Sequence, residues 1–106
     1  MTYGLFIKEK REEAGIKAVE VARALDISNT YLSDVENGRR APFKKERNDI
    51  LVNLLKLNKE DRALLYDLAA KELNECPQDI LRKLMHTKEG LDFILYLRNT
   101  ENLNYV

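Results

Sequence analysis

Residues 18–37 read AVEVARALDISNTYLSDVEN, and their pattern decides the fold. Ala22 stands at the small-residue position of one short helix. Val21, Leu25, Ile27, Leu32 and Val35 fall at the apolar positions that join two short helices into one corner. Between the helices, Asp26 sits where the turn needs a left-handed backbone, which Asp and Asn tolerate better than most non-glycine residues. Ser28 follows as an N-cap, and Gly38 closes the second helix as the residue just past its end. Apolar sites, small site, turn site and caps all agree on a helix–turn–helix. Such a corner implies that its second helix reads DNA.

Outward from this corner, the helical spacing of apolar residues predicts an all-α chain. A helix over 3–14 places Phe6, Ile7 and Ala14 inward and ends at Gly15. The corner itself comprises helices over 17–25 and 29–37. Gly38-Arg39-Arg40-Ala41-Pro42 is a loop, because Pro42 biases Ala41 away from helix. A fourth helix over 45–57 is expected to close the core with Ile50, Leu51, Leu54 and Leu57. No period-two stretch bounded by turn residues is present, nor any repeat or low-complexity segment.

Three more amphipathic helices follow. Asn58 caps one over 59–73, where Glu60 and Asp61 suit the positive end of the helix dipole. Its apolar face is Leu64, Leu65, Leu68, Ala69 and Leu73. Pro77 suits the first position of the next, which carries Ile80, Leu81, Leu84 and Met85. Thr87 caps the last, bearing Leu91, Ile94, Leu95 and Leu97, and the residues from Asn99 onward read as frayed. The expected organisation is a DNA-binding domain over 1–57 and a helical extension over 58–106. The extension reads equally as a second layer of core or as a dimer interface centred on Leu91, Ile94 and Leu95.

Composition narrows the function classes. A chain of 106 residues with 44% hydrophobic and 34% charged residues suits one domain with a small extension. No apolar run approaches a membrane span and no signal-peptide pattern opens the chain, so a cytoplasmic protein is expected. Cys76 and His86 are single, which excludes a disulfide framework or a Cys/His zinc site within one chain. The carboxylates of residues 60–79 have no partnered histidine or nucleophile, so neither enzyme chemistry nor a cofactor is expected. Net charge is zero. Residues 1–45 carry nine Lys/Arg against seven Asp/Glu, and residues 46–106 nine against eleven. A DNA-binding reading therefore depends on where the charges lie.

Residues 4–57 resemble the lambda-repressor-like, or XRE (Cro/cI-type), family of helix–turn–helix regulators. The residues that carry the resemblance begin with Phe6-Ile7-x-x-x-Arg11, Gly15-Ile16, Val21-Ala22, Leu25 and Ile27-Ser28. Tyr31-Leu32-Ser33 and Val35-Glu36-Asn37-Gly38-Arg39-Arg40-x-Pro42 complete them, the last being the most specific. More loosely, Leu64–Ala69 and Pro77–Ile80 are similar to the tails of small bacterial and prophage regulators of that family. Lys17 and Ala18 depart from it, standing where the family has Ser or Thr and then Gln. One polar contact is lost there, and Lys17 offers a point charge to a phosphate instead.

The resemblance implies a four- to five-helix bundle whose third helix enters the major groove. Its outward residues, Ser28, Asn29, Thr30, Ser33 and Asp34, have the chemistry to read base edges: Asn bonds adenine, Ser and Thr bond several edges, and Asp accepts from cytosine. Lys17, Asn37, Arg39, Arg40, Lys44 and Lys45 are the phosphate candidates. Arg11 and Glu36 are implied to pair and so fix the first helix to the third. Tyr31 is expected to pack its ring. The expected partners are double-stranded DNA and a second copy of the chain. The alternative is an antitoxin or anti-repressor that uses its later helices on a protein partner, a toxin or another regulator.

Overall fold

The computed structural model describes residues 1–100. Along them run seven α-helices and no strand: α1 (Tyr3–Glu13), α2 (Ala18–Ala24), α3 (Asn29–Glu36), α4 (Lys45–Leu54), α5 (Lys59–Leu73), α6 (Leu81–His86) and α7 (Lys88–Arg98). The expected fraying falls mostly on 101–106, outside the described residues.

Local chemistry sets the helix ends. Ser28, Asn58 and Thr87 accept backbone N–H bonds from Tyr31, Asp61 and Gly90 at 3.0, 2.8 and 3.0 Å, capping α3, α5 and α7. The left-handed turn between α2 and α3 is made at Asp26, with φ 57°, and the chain leaves α3 through Gly38 at φ 76°. Lys56 and Asn74 also adopt left-handed backbone after α4 and α5. Asn is suited to that conformation, whereas Lys carries its ordinary Cβ penalty.

The core joins α1–α5. Phe6 and Ile7 of α1 meet Val21, Ala22 and Leu25, then Leu32 and Val35 of α3, with Leu51, Leu55, Leu65 and Ala69 closing over them. The division expected after residue 57 falls between α4 and α5, and α5 contributes to this same core. Close approach of α1 to α3 depends on Gly4. A Cβ there would lie 2.2 Å from the Val35 carbonyl oxygen and 2.6 Å from that of Glu36.

Several packing expectations are corrected. Ala14 is exposed because it caps α1 rather than continuing it. Ile50 and Leu64 also face solvent, while Leu55 and Tyr66 are buried in their place. The rest of each expected stripe holds: Leu51, Leu65 and Ala69 are buried, and Leu54, Leu57 and Leu68 pack against them, so the core takes in one flank of each apolar face and leaves the other in solvent. Pro77 does not open α6. Its carbonyl accepts from Ile80 and Leu81 at 3.2 Å, forming a turn, and the helix starts at Leu81.

Helices α6 and α7 form a hairpin of their own. A Cβ on Gly90 would lie 2.2 Å from the Leu84 carbonyl oxygen, so the two backbones touch. No residue of α6 is buried, and on α7 only Gly90 is. Leu81, Met85, Leu91, Phe93, Leu95 and Tyr96 all stand about half-exposed or more. The hairpin stands off the core: the Cα radius of gyration is 15.9 Å, against about 13 Å for a compact 100-residue domain. No helix among the described residues is long and apolar enough to cross a membrane.

Candidate nucleic-acid interface

Helix α3 is held by the core and by a charge pair at its end, and what it leaves exposed defines the candidate site. Leu32 and Val35 anchor it in the core at 1% exposure each. At its far end, Arg11 of α1 grips Glu36 as a fork: Nε donates to Oε2 at 2.8 Å and Nη2 to Oε1 at 3.1 Å. Nη1 also donates to the Ile16 carbonyl at 3.3 Å. Hydrogen bonding to Glu36 raises the Arg11 pKa further. With side chains 12% and 7% exposed, this pair belongs to the scaffold, not the surface.

The outward face of α3 is small and polar. Ser28, Asn29, Thr30 and Ser33 are exposed. Ser28 is already an acceptor in its cap, while Asn29 and Thr30 make no side-chain hydrogen bond to the described residues. The Asn37 amide donates to the Ser33 carbonyl at 2.8 Å and to Ser33 Oγ at 3.2 Å, tying two candidate residues together. Asp34 accepts from Arg39 Nε at 2.9 Å, so the acid and the first loop arginine form one unit.

The basic candidates differ in their freedom. Lys17 is exposed at the N-cap of α2 and makes no capping bond. Lys44 lies 3.6 Å from Glu75, and Lys45 2.7 Å from Asp49, each a solvated pair. Burial alone would raise the Asp49 pKa, but bonds from Lys45 and Tyr66 outweigh it and leave the carboxyl below its ordinary value. Arg40 has its guanidinium carbon 4.0 Å over the Tyr31 ring. That ring in turn packs on Phe43, with centroids 5.6 Å apart.

The residues that shape the loop were not legible beforehand. Phe43, just past Pro42, is 2% exposed and pins the basic loop to the core. Behind it lies Asn48, fully buried, whose amide donates to the Phe43 carbonyl at 2.9 Å and to Gln78 Oε1 at 2.9 Å. Its carbonyl oxygen accepts from the Tyr3 hydroxyl, whose pKa burial raises. Arg47 lies over both rings, 5.5 Å from Tyr31 and 5.9 Å from Phe43. The only sequence signal for it was its place in the charged run 44–47.

This arrangement, an anchored helix with a polar face beside a basic loop, is the helix–turn–helix architecture. The chain belongs to the helix-turn-helix domain family, of the lambda-repressor-like (XRE) kind, whose profile matches residues 2–65. It is 53% identical over 53 residues to the "ImmF control region 10 kDa protein" of Bacillus phage phi105. That match spans 48% of this chain and 59% of the relative's length. No solved structure matches significantly.

Proposed function

We propose that the chain is a sequence-specific DNA-binding transcriptional regulator, acting as a repressor. The observation that carries this reading is the face of α3: Asn29 and Thr30 stand exposed and unengaged on a helix locked by Arg11–Glu36, with Arg39 and Arg40 directly after it. Asn and Thr side chains on a rigid helix suit base edges, and the following cations suit phosphates. Family membership and the likeness to a phage control-region protein support the same reading. Ser28, Ser33 and Asp34 complete the reading face in this proposal, and Lys17, Asn37, Lys44 and Lys45 join the phosphate contacts.

One α3 reaches only a few base pairs, so binding to paired half-sites by a homodimer is part of the proposal. The apolar α6–α7 hairpin, with Leu91 and Leu95 exposed and Ile94 half-buried, is the surface that suits it. Repression then follows from occupancy that blocks polymerase. The test is selection of bound duplexes from random DNA, followed by a reporter placed behind the selected site. A palindromic motif and lowered expression are expected. Selection that yields no motif removes the reading.

A second reading draws on the same hairpin. An exposed apolar surface of this kind also fits a protein partner, as in an antitoxin or anti-repressor. Light scattering of the purified chain separates the two, since the first requires a dimer without any partner.

A further inference from the structure

We propose that Arg40, Tyr31 and Arg47 form a phosphate clamp beside α3, in which Arg47 binds the DNA backbone and Tyr31 positions both guanidiniums. This rests on the DNA-binding reading above and adds a residue and a mechanism to it. Three elements converge here: Tyr31 from the first turn of α3, Arg40 from the loop, and Arg47 from α4. Both guanidinium carbons lie within 5.5 Å of one ring centroid. The ring is fixed by its packing on the buried Phe43. Arg47 is steadied further by Nε donating to the Leu25 carbonyl at 3.4 Å.

Lys10, Arg11, Arg39, Lys44, Lys45 and Lys88 each lie within 4.0 Å of a carboxylate. Arg40 and Arg47 share the lack of such a partner with Lys17, Arg23 and other cations of the described residues; what sets them apart is that both lie over one ring. The negative face of the ring attracts each cation but does not neutralise it, so two like charges are held together without compensation. An anion bound between or beside them relieves that repulsion. A guanidinium lying over a ring keeps N–H donors at its edge, and Arg47 keeps its Nη groups after Nε is taken by Leu25, donors that suit phosphate oxygens. Because Tyr31 and Arg40 flank the reading face, a backbone phosphate of the DNA that α3 reads is the anion at hand.

Salt-titrated binding of the full chain to a selected duplex and to an unrelated one tests the clamp. Arg47→Ala should lower the slope of log affinity against log salt by about one unit, so that the loss between 50 and 200 mM salt shrinks about fourfold. It should weaken both duplexes alike. Arg47→Lys should keep the slope, and Tyr31→Phe should keep slope and affinity because the ring remains. Tyr31→Leu should lower the slope, with thermal melting showing that the fold is retained. If Arg47→Ala leaves the slope unchanged while Arg39→Ala lowers it, the clamp is wrong but the DNA reading stands. Wild-type chain that binds no duplex at any salt overturns both. A slope unmoved by Arg47→Ala, together with a protein partner lost in the same variant, assigns the cations to a carboxylate ligand and overturns the proposal.

Discussion

Asn48 of α4 and Gln78 of the turn before α6 share a hydrogen bond of 2.9 Å at the base of the basic loop. The other Asn48 amide hydrogen goes to the Phe43 carbonyl, which Gln78 Nε2 also approaches at 3.4 Å. The segment leading to the exposed hairpin is therefore fastened to the carbonyl of the residue that anchors the loop. Both Asn48 amide hydrogens and its carbonyl oxygen are engaged, and no buried side-chain polar atom among the described residues is left without a partner. Replacing Asn48 by Leu should orphan the Tyr3 hydroxyl and leave the Phe43 carbonyl with only the 3.4 Å bond from Gln78. A loss of about 1–3 kcal/mol per unsatisfied group is expected, read by chemical denaturation. Gln78→Ala should cost less, because Phe43 keeps Asn48.

Arg11→Ala should destabilise by about 3 kcal/mol, since Glu36 is left charged and nearly buried. Arg11→Lys should recover little, because one ammonium cannot reproduce the two-pronged bond. Both variants should lower DNA affinity through displacement of α3. A Lys variant as stable as wild type would show that the fork geometry is unimportant.

Gly4→Ala should push α1 away from the end of α3. The added Cβ meets two carbonyl oxygens of the backbone, which cannot swing aside as a side chain can. Overpacking of this kind costs about 1–3 kcal/mol. Thermal unfolding should shift down, and affinity for DNA should fall with it.

The contrast between Asp26 and Asn48 explains how far the sequence reached. Asp26, Ser28 and Gly38 announce themselves because a left-handed turn or a cap needs only local backbone chemistry. Asn48, Phe43 and Tyr3 come together from positions up to 45 residues apart, and no local pattern records such a meeting. Phe43 directly follows a proline loop, so its burial depends wholly on tertiary contact. On α4 and α5 the inward stripe was legible through Leu51, Leu65 and Ala69, but its width was not: Leu55 and Tyr66 are also buried, while Ile50 and Leu64 at the other flank face solvent. The reading face of α3 was legible as a surface, but its internal ties, Asn37 to Ser33 and Arg39 to Asp34, were not.

Asp49 gives a pH signature. Its carboxyl is held below the ordinary value, so the charged form is favoured by folding. The stabilisation is complete above the unfolded pKa of about 3.9 and is lost as pH falls through the folded value. Asp49→Asn should therefore melt below wild type at neutral pH, and the gap should close as pH drops below about 4. A gap that widens in acid contradicts the sign of the shift.

The last prediction concerns assembly. Leu91 and Leu95 lie one helical turn apart on α7, at 50% and 57% exposure, on a hairpin whose own contact is already satisfied by Gly90 against Leu84. Ile94, four residues from Gly90, lies nearer that internal contact and is half-buried. Several large apolar side chains left in water on one small unit form the kind of patch that monomers rarely keep uncovered. Leu91→Glu with Leu95→Glu should leave helicity and the α1–α5 core intact while abolishing the dimer. Operator affinity should then fall steeply, because the second half-site no longer adds its contacts, whereas binding to a single half-site should stay unchanged. Sedimentation of wild type and variant at tens of micromolar (a concentration suited to ordinary dimers) and half-site titration read these outcomes together. A wild-type chain that sediments as a monomer and binds its operator one-to-one removes the hairpin from the dimer and leaves it to a protein partner.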